Sequence, residues 1–349
     1  MMKLDYIVVG LGLAGLAFIE ELIEANKSFL VFEDNSQTSS LVAGGVYNPV
    51  ILKRYSPVWN VKEQLAVALP FYEKLEKKFN TTFDHKFVIK KAFKSIEDQN
   101  NWFSAFDKPN VAPFLDAKLD NQPYVGVLGN HSFGNVKEGG RIDTHHLVET
   151  YRNYLEQNNW IRFEKFIHKD ISHNKNTVTY HDLEATKIVF SEGFGLKENP
   201  YFNHLPLEEV KGETMTIHAP KLDIDFLLKS TLFVMPIGNH LYKVGATFNH
   251  ADKTSVPSTE GRDELIEKLK RVLTVPYTIV AQAAGIRPAV KDRRPMVGIH
   301  TQFKNLVVLN GLGTRGVMIS PTIAKNLFYH LEVGEPLDPE IDIKRFDKK

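Results

Sequence analysis

Six residues near the start, Gly10-Leu11-Gly12-Leu13-Ala14-Gly15, have the types and spacing to hold a dinucleotide. Gly10 permits a tight turn, Gly12 lets backbone approach a pyrophosphate, and Gly15 lets a helix pack closely on a strand. The helix that follows, with Leu13 and Ala14 at its start, offers free N–H groups and a positive dipole end to phosphate. Glu33 closes the next apolar run, where its carboxylate can accept ribose hydroxyls, and Asp34 follows it. An acid there repels a 2′-phosphate, which disfavours NADP. This turn by itself leaves FAD and NAD open.

The elements that must position these residues are legible. Tyr6 to Val9 and Phe29 to Phe32 are short apolar runs of strand type, and Leu16 to Ala25 has helical spacing between them. Three further glycine clusters fall where backbone could pass close to a large flat group. They are Gly44-Gly45-Val46, Gly193 after the run Lys187 to Phe190, and Gly311-Leu312-Gly313-Thr314-Arg315-Gly316-Val317 after the run Leu306 to Leu309. Backbone N–H groups in the last cluster can hydrogen-bond the pyrimidine edge of a flavin. The clusters and the first motif together favour FAD over NAD.

Composition sets bounds. The 349 residues are 43% hydrophobic and 24% charged, ordinary for a globular protein long enough for two domains. The 43 basic and 42 acidic residues leave a net charge of +1, so no overall footprint for nucleic acid or an anionic membrane is present. Cysteine is absent, which excludes disulfides, thiolate metal sites and a cysteine-linked flavin. No metal site is expected, because the adjacent His145 and His146 on a helix point about 100° apart. No stretch is long and apolar enough for a transmembrane helix, and the acidic first helix argues against a signal peptide, so a cytoplasmic protein without a membrane partner is expected. The tail from Asp342 to Lys349 is expected to fray.

Along the chain, helices are expected over 61–79, 97–106, from Asp143 or Thr144 to about Asn158, over 259–273, and from Pro321 to Leu331. Strands are expected over 87–93, three times between Arg162 and Gly195, and from Lys211 to Thr247 with a hairpin at Pro236-Ile237-Gly238-Asn239. Strand–helix units at both ends flank antiparallel insertions. The fold class is therefore α/β with an α+β second domain: a doubly wound, Rossmann-like nucleotide domain with an inserted antiparallel-sheet domain. The expected division is 1–85, 139–210 and 285–349 for the discontinuous FAD-binding domain, and 86–138 and 211–284 for the substrate domain.

The chain resembles the D-amino-acid-oxidase-like flavoprotein oxidoreductases, which include glycine oxidase, sarcosine oxidases and the flavin domain of the tRNA wobble-uridine carboxymethylaminomethyl enzyme. GLGLAG at 10–15, Glu33, AGGVYNP at 43–49, GGRID at 139–143, VKGET at 210–214, YKVGAT at 242–247, GIRPAVKDRRPMVG at 285–298 and GLGTRGVMISP at 311–321 carry the resemblance. It implies non-covalent FAD, an antiparallel sheet roofing the flavin, and oxidation of a C–N bond by hydride transfer to flavin N5, with hydrolysis of the imine. It also implies that Arg287 grips a substrate carboxylate, a pairing that fixes orientation through two parallel N–H bonds. The plainer alternative is a structural arginine paired with an acid such as Asp292. Lys243 resembles the lysine that favours the oxygen reaction in monomeric sarcosine oxidases, and Tyr242 could donate to the carboxylate. The two are strand neighbours, so only one can face the flavin.

One step departs from the pattern. Ser191-Glu192-Gly193 stands where the family has an Ala-Gly-like step, and a glutamate there must point away from a pyrophosphate. The expected substrate is a small amine or amino acid, glycine-like or N-substituted. The alternatives are a flavin oxidase acting on carboxymethylaminomethyl-uridine in tRNA, which is less favoured because no basic tract is present, and a flavin-binding electron-transfer subunit without its own oxidase activity.

Overall fold

The structure, a computed structural model, describes residues 1–128 and 132–347. Met2–Val9 forms a strand, Leu13–Glu24 a helix and Phe29–Phe32 a parallel strand, with Tyr6 beside Phe29 and Val9 beside Phe32. All four residues of the second strand are buried, as expected of a parallel sheet covered on both faces. Leu183–Phe190 lies parallel on the other side of Met2–Val9, and Leu306–Asn310 lies parallel beyond it. Ile161–Arg162 pairs parallel with Phe29–Phe32, and Met296–Ile299 closes the opposite edge antiparallel to Leu306–Asn310. The hairpin Ile171–His173 and Val178–Tyr180 attaches to the first half of Leu183–Phe190, whose second half pairs Leu306–Asn310. The parallel strands end side by side at Val9, Phe32, Phe190 and Asn310. Their carboxyl ends are where a doubly wound sheet offers a ligand crevice, and all the glycine turns except Gly44-Gly45 begin there.

A second sheet of seven strands stands over that crevice. Its order is Thr278–Val290, Leu207–His218, Leu241–Gly245, Phe233–Gly238, Leu227–Lys229, Ile89–Ala92 and Phe133–Val136, antiparallel except between Leu227–Lys229 and Ile89–Ala92. The ladder between Leu207–His218 and Thr278–Val290 runs from Leu207 beside Val290 to His218 beside Thr278. It passes through positions 210/211 and 284/285 with no break, so both inner boundaries of the expected division lie inside one strand pair.

Several expected helices form over their spans: Val61–Phe79, Ile96–Phe106 and Thr144–Gln157, the last capped by Asp143, which accepts the His146 N–H. Two expectations need correction. The last helix starts at Gly316, five residues before Pro321, and runs to Val333. Proline lacks the N–H that would bond the Val317 carbonyl four residues back. The buried Tyr72 hydroxyl donates to that carbonyl instead, at 2.8 Å, so the helix tolerates the proline. The tail is also not frayed through its described part. Ile343–Phe346 forms a helical turn, Ile343 is buried, and Arg345 pairs with Asp292; residues 348 and 349 lie outside the described residues. Among the described residues no helix is long and apolar enough to cross a membrane, and no cluster of three or more His, Asp or Glu could hold a metal ion.

Candidate active site

The glycines of the first turn are required by contact. Gly10 has φ +96°, and a Cβ there would sit 2.5 Å from the Ser191 carbonyl oxygen. A Cβ on Gly15 would sit 2.1 Å from the Gly10 carbonyl oxygen. The helix begins behind Gly12 with no side-chain cap, and the Leu13 N–H reaches the Ser40 hydroxyl at 3.2 Å. Glu33 is buried. Its two oxygens accept the Leu11 and Asn35 N–H groups at 2.6 and 2.7 Å, which ties the second strand tip to the turn. Burial raises its carboxyl pKa against those bonds. A carboxylate has capacity for about four hydrogen bonds, so Glu33 keeps room for hydroxyl donors.

The Ser191-Glu192-Gly193 step places its glutamate off the first cavity, buried on the wall of a second one. The Ser191 hydroxyl donates to the Val9 and Gly10 carbonyls, sealing the underside of the turn. Glu192 accepts the Asn199 side-chain N–H at 2.8 Å and lies 2.6 Å from His168 Nε2. Gly193, at φ +56°, stays on the crevice wall.

A cavity of about 410 Å³ runs from Glu33 past Gly10, Gly12, Leu13 and Ala14 and under the second sheet to Arg287. Gly44, Gly45, Val46, Gly313, Thr314, Gly316 and Val317 line it, so the expected flavin-platform residues converge on one space. Gly45 is at φ +65°, and a Cβ would sit 1.9 Å from the Ile142 carbonyl oxygen, because this loop is pinned to the strand Gly140–Ile142. A second cavity of similar volume shares Gly10, Glu33 and Gln37 with the first and extends past Asp34 to Phe166 and His168. Asp34 is exposed and belongs to that second space.

Arg287 stands on the cavity wall with no acid beside it among the described residues. The alternative of pairing with Asp292 is overturned, since Asp292 is taken by Arg345. The guanidinium donates to the Thr247 carbonyl at 3.2 Å and stacks on Phe248, 4.4 Å from the ring centre. It lies flat across Gly212, where a Cβ would be 1.9 Å from Nη2. Burial pushes its pKa down to about 10, which leaves it charged at neutral pH. A polar shell fixes these supports. The fully buried Lys211 pairs with Asp252, and Glu213 accepts Ser258 and Gln282. That shell holds the segment 247–258, which carries Phe248, against the strand under Arg287.

Lys243 and Tyr242 separate as strand neighbours must. Lys243 faces the cavity side and donates to the Val42 and Ala43 carbonyls, at 2.9 and 3.0 Å, directly before Gly44. Burial pushes its pKa down to about 8. Tyr242 is a correction: its ring packs in the core on the far face of the sheet and its hydroxyl donates to the Leu222 carbonyl at 2.6 Å. Three cofactor residues also stand off the wall. Gly15 packs helix on strand. Gly311, at φ +78°, is buried where a Cβ would meet Val290 at 2.8 Å. Arg315 precedes the last helix, and its pKa is lowered by burial and by Arg293, Arg294 and Arg54 nearby.

Sequence reasoning missed Ser40, Gly212, Phe248 and Lys229, all on the wall. Gly212 had a signal, since it sits in the VKGET segment. The others are single polar or aromatic residues whose placement depends on partners distant in sequence.

A doubly wound nucleotide sheet, roofed by an antiparallel sheet that presents a half-buried arginine, defines a flavoprotein oxidoreductase architecture. Residues 5–329 match the family described as FAD dependent oxidoreductase (DAO), and the chain belongs to that family. It is similar to glycine oxidase of Bacillus subtilis (strain 168), 21% identical over 275 residues, covering 74% of this chain and 70% of that one. It is also similar to the tRNA 5-methylaminomethyl-2-thiouridine biosynthesis bifunctional protein MnmC of Azoarcus sp. (strain BH72), 28% identical over 182 residues. That match covers 46% of this chain and only 28% of the longer bifunctional protein. The crystal structure of iminodiacetate oxidase (IdaA) from Chelativorans sp. BNC1 has the same fold, with a TM-score of 0.78 at 16% identity over 96% of this chain and 98% of that one.

Proposed function

We propose that this protein is an FAD-dependent oxidoreductase that oxidises the C–N bond of a small amino acid, glycine-like or N-substituted. The observation that carries the reading is the unpaired Arg287 guanidinium in the cavity, a cation that a substrate carboxylate would complete. The crevice fits FAD. Gly10 and Gly15 form a turn that a Cβ would fill, the helix behind Gly12 lacks a side-chain cap, and Glu33 retains acceptor capacity. Gly12, Leu13 and Ala14 would hold the pyrophosphate, Glu33 a ribose, and the Gly44–Val46 and Gly313–Val317 backbones the ring. Bound FAD supplies the acceptor for the hydride lost from carbon.

The protein's own groups then orient and exclude. Arg287 fixes the carboxylate and so the facing of the carbon beside nitrogen. Phe248 covers one face of the guanidinium and shields that face from water, which strengthens the pairing. Lys243 Nζ, held by two carbonyls before Gly44, places a positive charge that favours negative charge developing on oxygen. The product imine hydrolyses to a carbonyl compound and an amine. We assign 1–85, 139–210 and 285–349 to FAD binding and 86–138 with 211–284 to the substrate roof. The flavin is held without a covalent bond, so acid precipitation leaves the yellow chromophore in the supernatant; a yellow pellet overturns that.

A second reading, oxidation of carboxymethylaminomethyl-uridine in tRNA, is favoured by one feature. Arg54, Arg293 and Arg315 gather beside the cavity rim at Thr314 without acid partners among the described residues. The test is anaerobic flavin bleaching by glycine, sarcosine, D-amino acids, L-proline and unmodified or carboxymethylaminomethylated tRNA. Bleaching by a small amine, lost in Arg287→Ala, supports the main reading. Bleaching by the modified tRNA alone moves the assignment to the second. No bleaching despite full FAD occupancy leaves the electron-transfer subunit.

A further inference from the structure

Lys229 is a second cation on the cavity wall, remote from Arg287, and the reading so far does not use it. Its side chain has no hydrogen bond or acid among the described residues, whereas its neighbours Lys91 and Lys268 pair with Asp98 and Glu264. Lys268 lines the same end of the cavity. Lys229 is half-buried, and an amine partly withdrawn from water without a partner is a cost that a ligand anion would relieve.

Its position relative to Arg287 follows from the sheet. Thr214, Gly245, Phe233 and Lys229 are successive cross-strand partners, so the side chains of Thr214, Phe233 and Lys229 share the cavity face. The Arg287 guanidinium lies over Gly212, two residues along from Thr214. Three strand intervals of about 4.8 Å and a two-residue rise of about 7 Å put the Lys229 Cα roughly 16 Å from the guanidinium. The reach of a lysine brings the two charges to roughly 10–15 Å, about the length of three or four extended residues.

We propose that the cavity takes a glycine whose nitrogen carries an extended substituent ending in a second anion, carboxylate or phosphate, and that Lys229 binds that anion. The proposal rests on Arg287 as the anchor of the first carboxylate. Burial pushes the Lys229 pKa down to about 8, so the amine is charged at neutral pH and loses its charge above that.

The test uses the FAD-loaded enzyme and reads the concentration for half-maximal anaerobic reduction. Its substrates are glycine, a glycine N-substituted with a straight chain spanning about 10–15 Å and ending in a methyl, the same chain ending in a carboxylate, and 5-carboxymethylaminomethyluridine 5′-monophosphate. The expected result is that the carboxylate-ended chain or the nucleotide binds about 10–100-fold tighter than the methyl-ended chain. Which of the two does so identifies the source of the anion. Lys229→Gln should erase that gain and Lys229→Arg should keep most of it, with glycine changed less than about twofold in either. Equal binding of the anionic and methyl-ended compounds by the unaltered protein overturns the proposal. So does a Lys229→Gln variant that weakens the methyl-ended chain as much as the charged ones. If instead Arg287→Ala binds every compound as the unaltered protein does, or no compound reduces the unaltered protein, the carboxylate-anchor reading fails first and the proposal with it.

Discussion

Arg287 is held in place by carbonyls, an aromatic face and a glycine, and all three are neutral. Folding therefore partly desolvates a charge that no acid among the described residues offsets, and the sign of its effect on stability follows. A pKa lowered in the folded state to about 10 means the charged form is disfavoured by folding. The cost is present at all pH values below that and is relieved only as pH rises toward the unfolded value. Arg287→Met is thus expected to raise the stability of the FAD-free protein at pH 7, by on the order of 1–3 kcal/mol, while weakening substrate handling by roughly 10²–10³-fold. Thermal unfolding and anaerobic reduction measure the two. A fall in both would make Arg287 a structural residue. Lys243 gives a pH signature. Its ammonium form declines as pH rises through about 8, so reoxidation by oxygen should be about tenfold slower at pH 9 than at pH 7, and Lys243→Met should be slow and flat across that range. A variant that keeps the pH limb removes Lys243 from the oxygen step. Tyr242→Phe belongs to stability alone, with about 1 kcal/mol lost and turnover unchanged.

At the scale of elements, the strand–turn–helix is set by contacts that tolerate no Cβ. Gly15→Ala would drive a methyl against the Gly10 carbonyl. The helix must then move off the first strand, and the N–H groups at its start move with it. The expected outcome is a protein that folds but elutes with little FAD, read as the ratio of visible to ultraviolet absorbance; full flavin occupancy would show that the helix is not what holds the cofactor. The last helix makes a different point. Pro321 ends or kinks a helix in sequence reasoning, yet Tyr72, 245 residues from Val317, supplies the missing donor. Tyr72→Phe leaves the Val317 carbonyl unsatisfied in the core, at a cost of about 1–3 kcal/mol. Because Val317 is on the cavity wall, flavin retention should drop in that variant too.

For the whole molecule, the nucleotide sheet and the roof share structure. The main hydrophobic cluster joins Tyr6, Leu16 and Phe18 of the opening unit to Phe93, Trp102, Leu115 and Met235 of the expected substrate domain. The ladder of Leu207–His218 with Thr278–Val290 ties the halves again. Each part also has a cluster of its own, but the shared cluster and ladder couple them, so unfolding should be a single cooperative calorimetric transition. Two separated transitions would show that the halves are independent.

Local pattern was enough for much of this. The sequence by itself determined the first glycine turn, the acid at the second strand tip, the helices at 61–79 and 144–157 and the FAD class, because each depends on glycine geometry, caps or periodicity within about thirty residues. It also named Arg287 and Lys243, through motifs rather than through contacts. Only the tertiary structure decided that Arg287 lacks an acid, that Glu192 turns toward His168 and Asn199, that Tyr242 belongs to the far core, and that Lys229 joins the cavity. The physical reason is common to all four. Which face a strand buries, and which charges end up near one another, is set by sheet pairing between residues tens to hundreds of positions apart, and no local periodicity records that register.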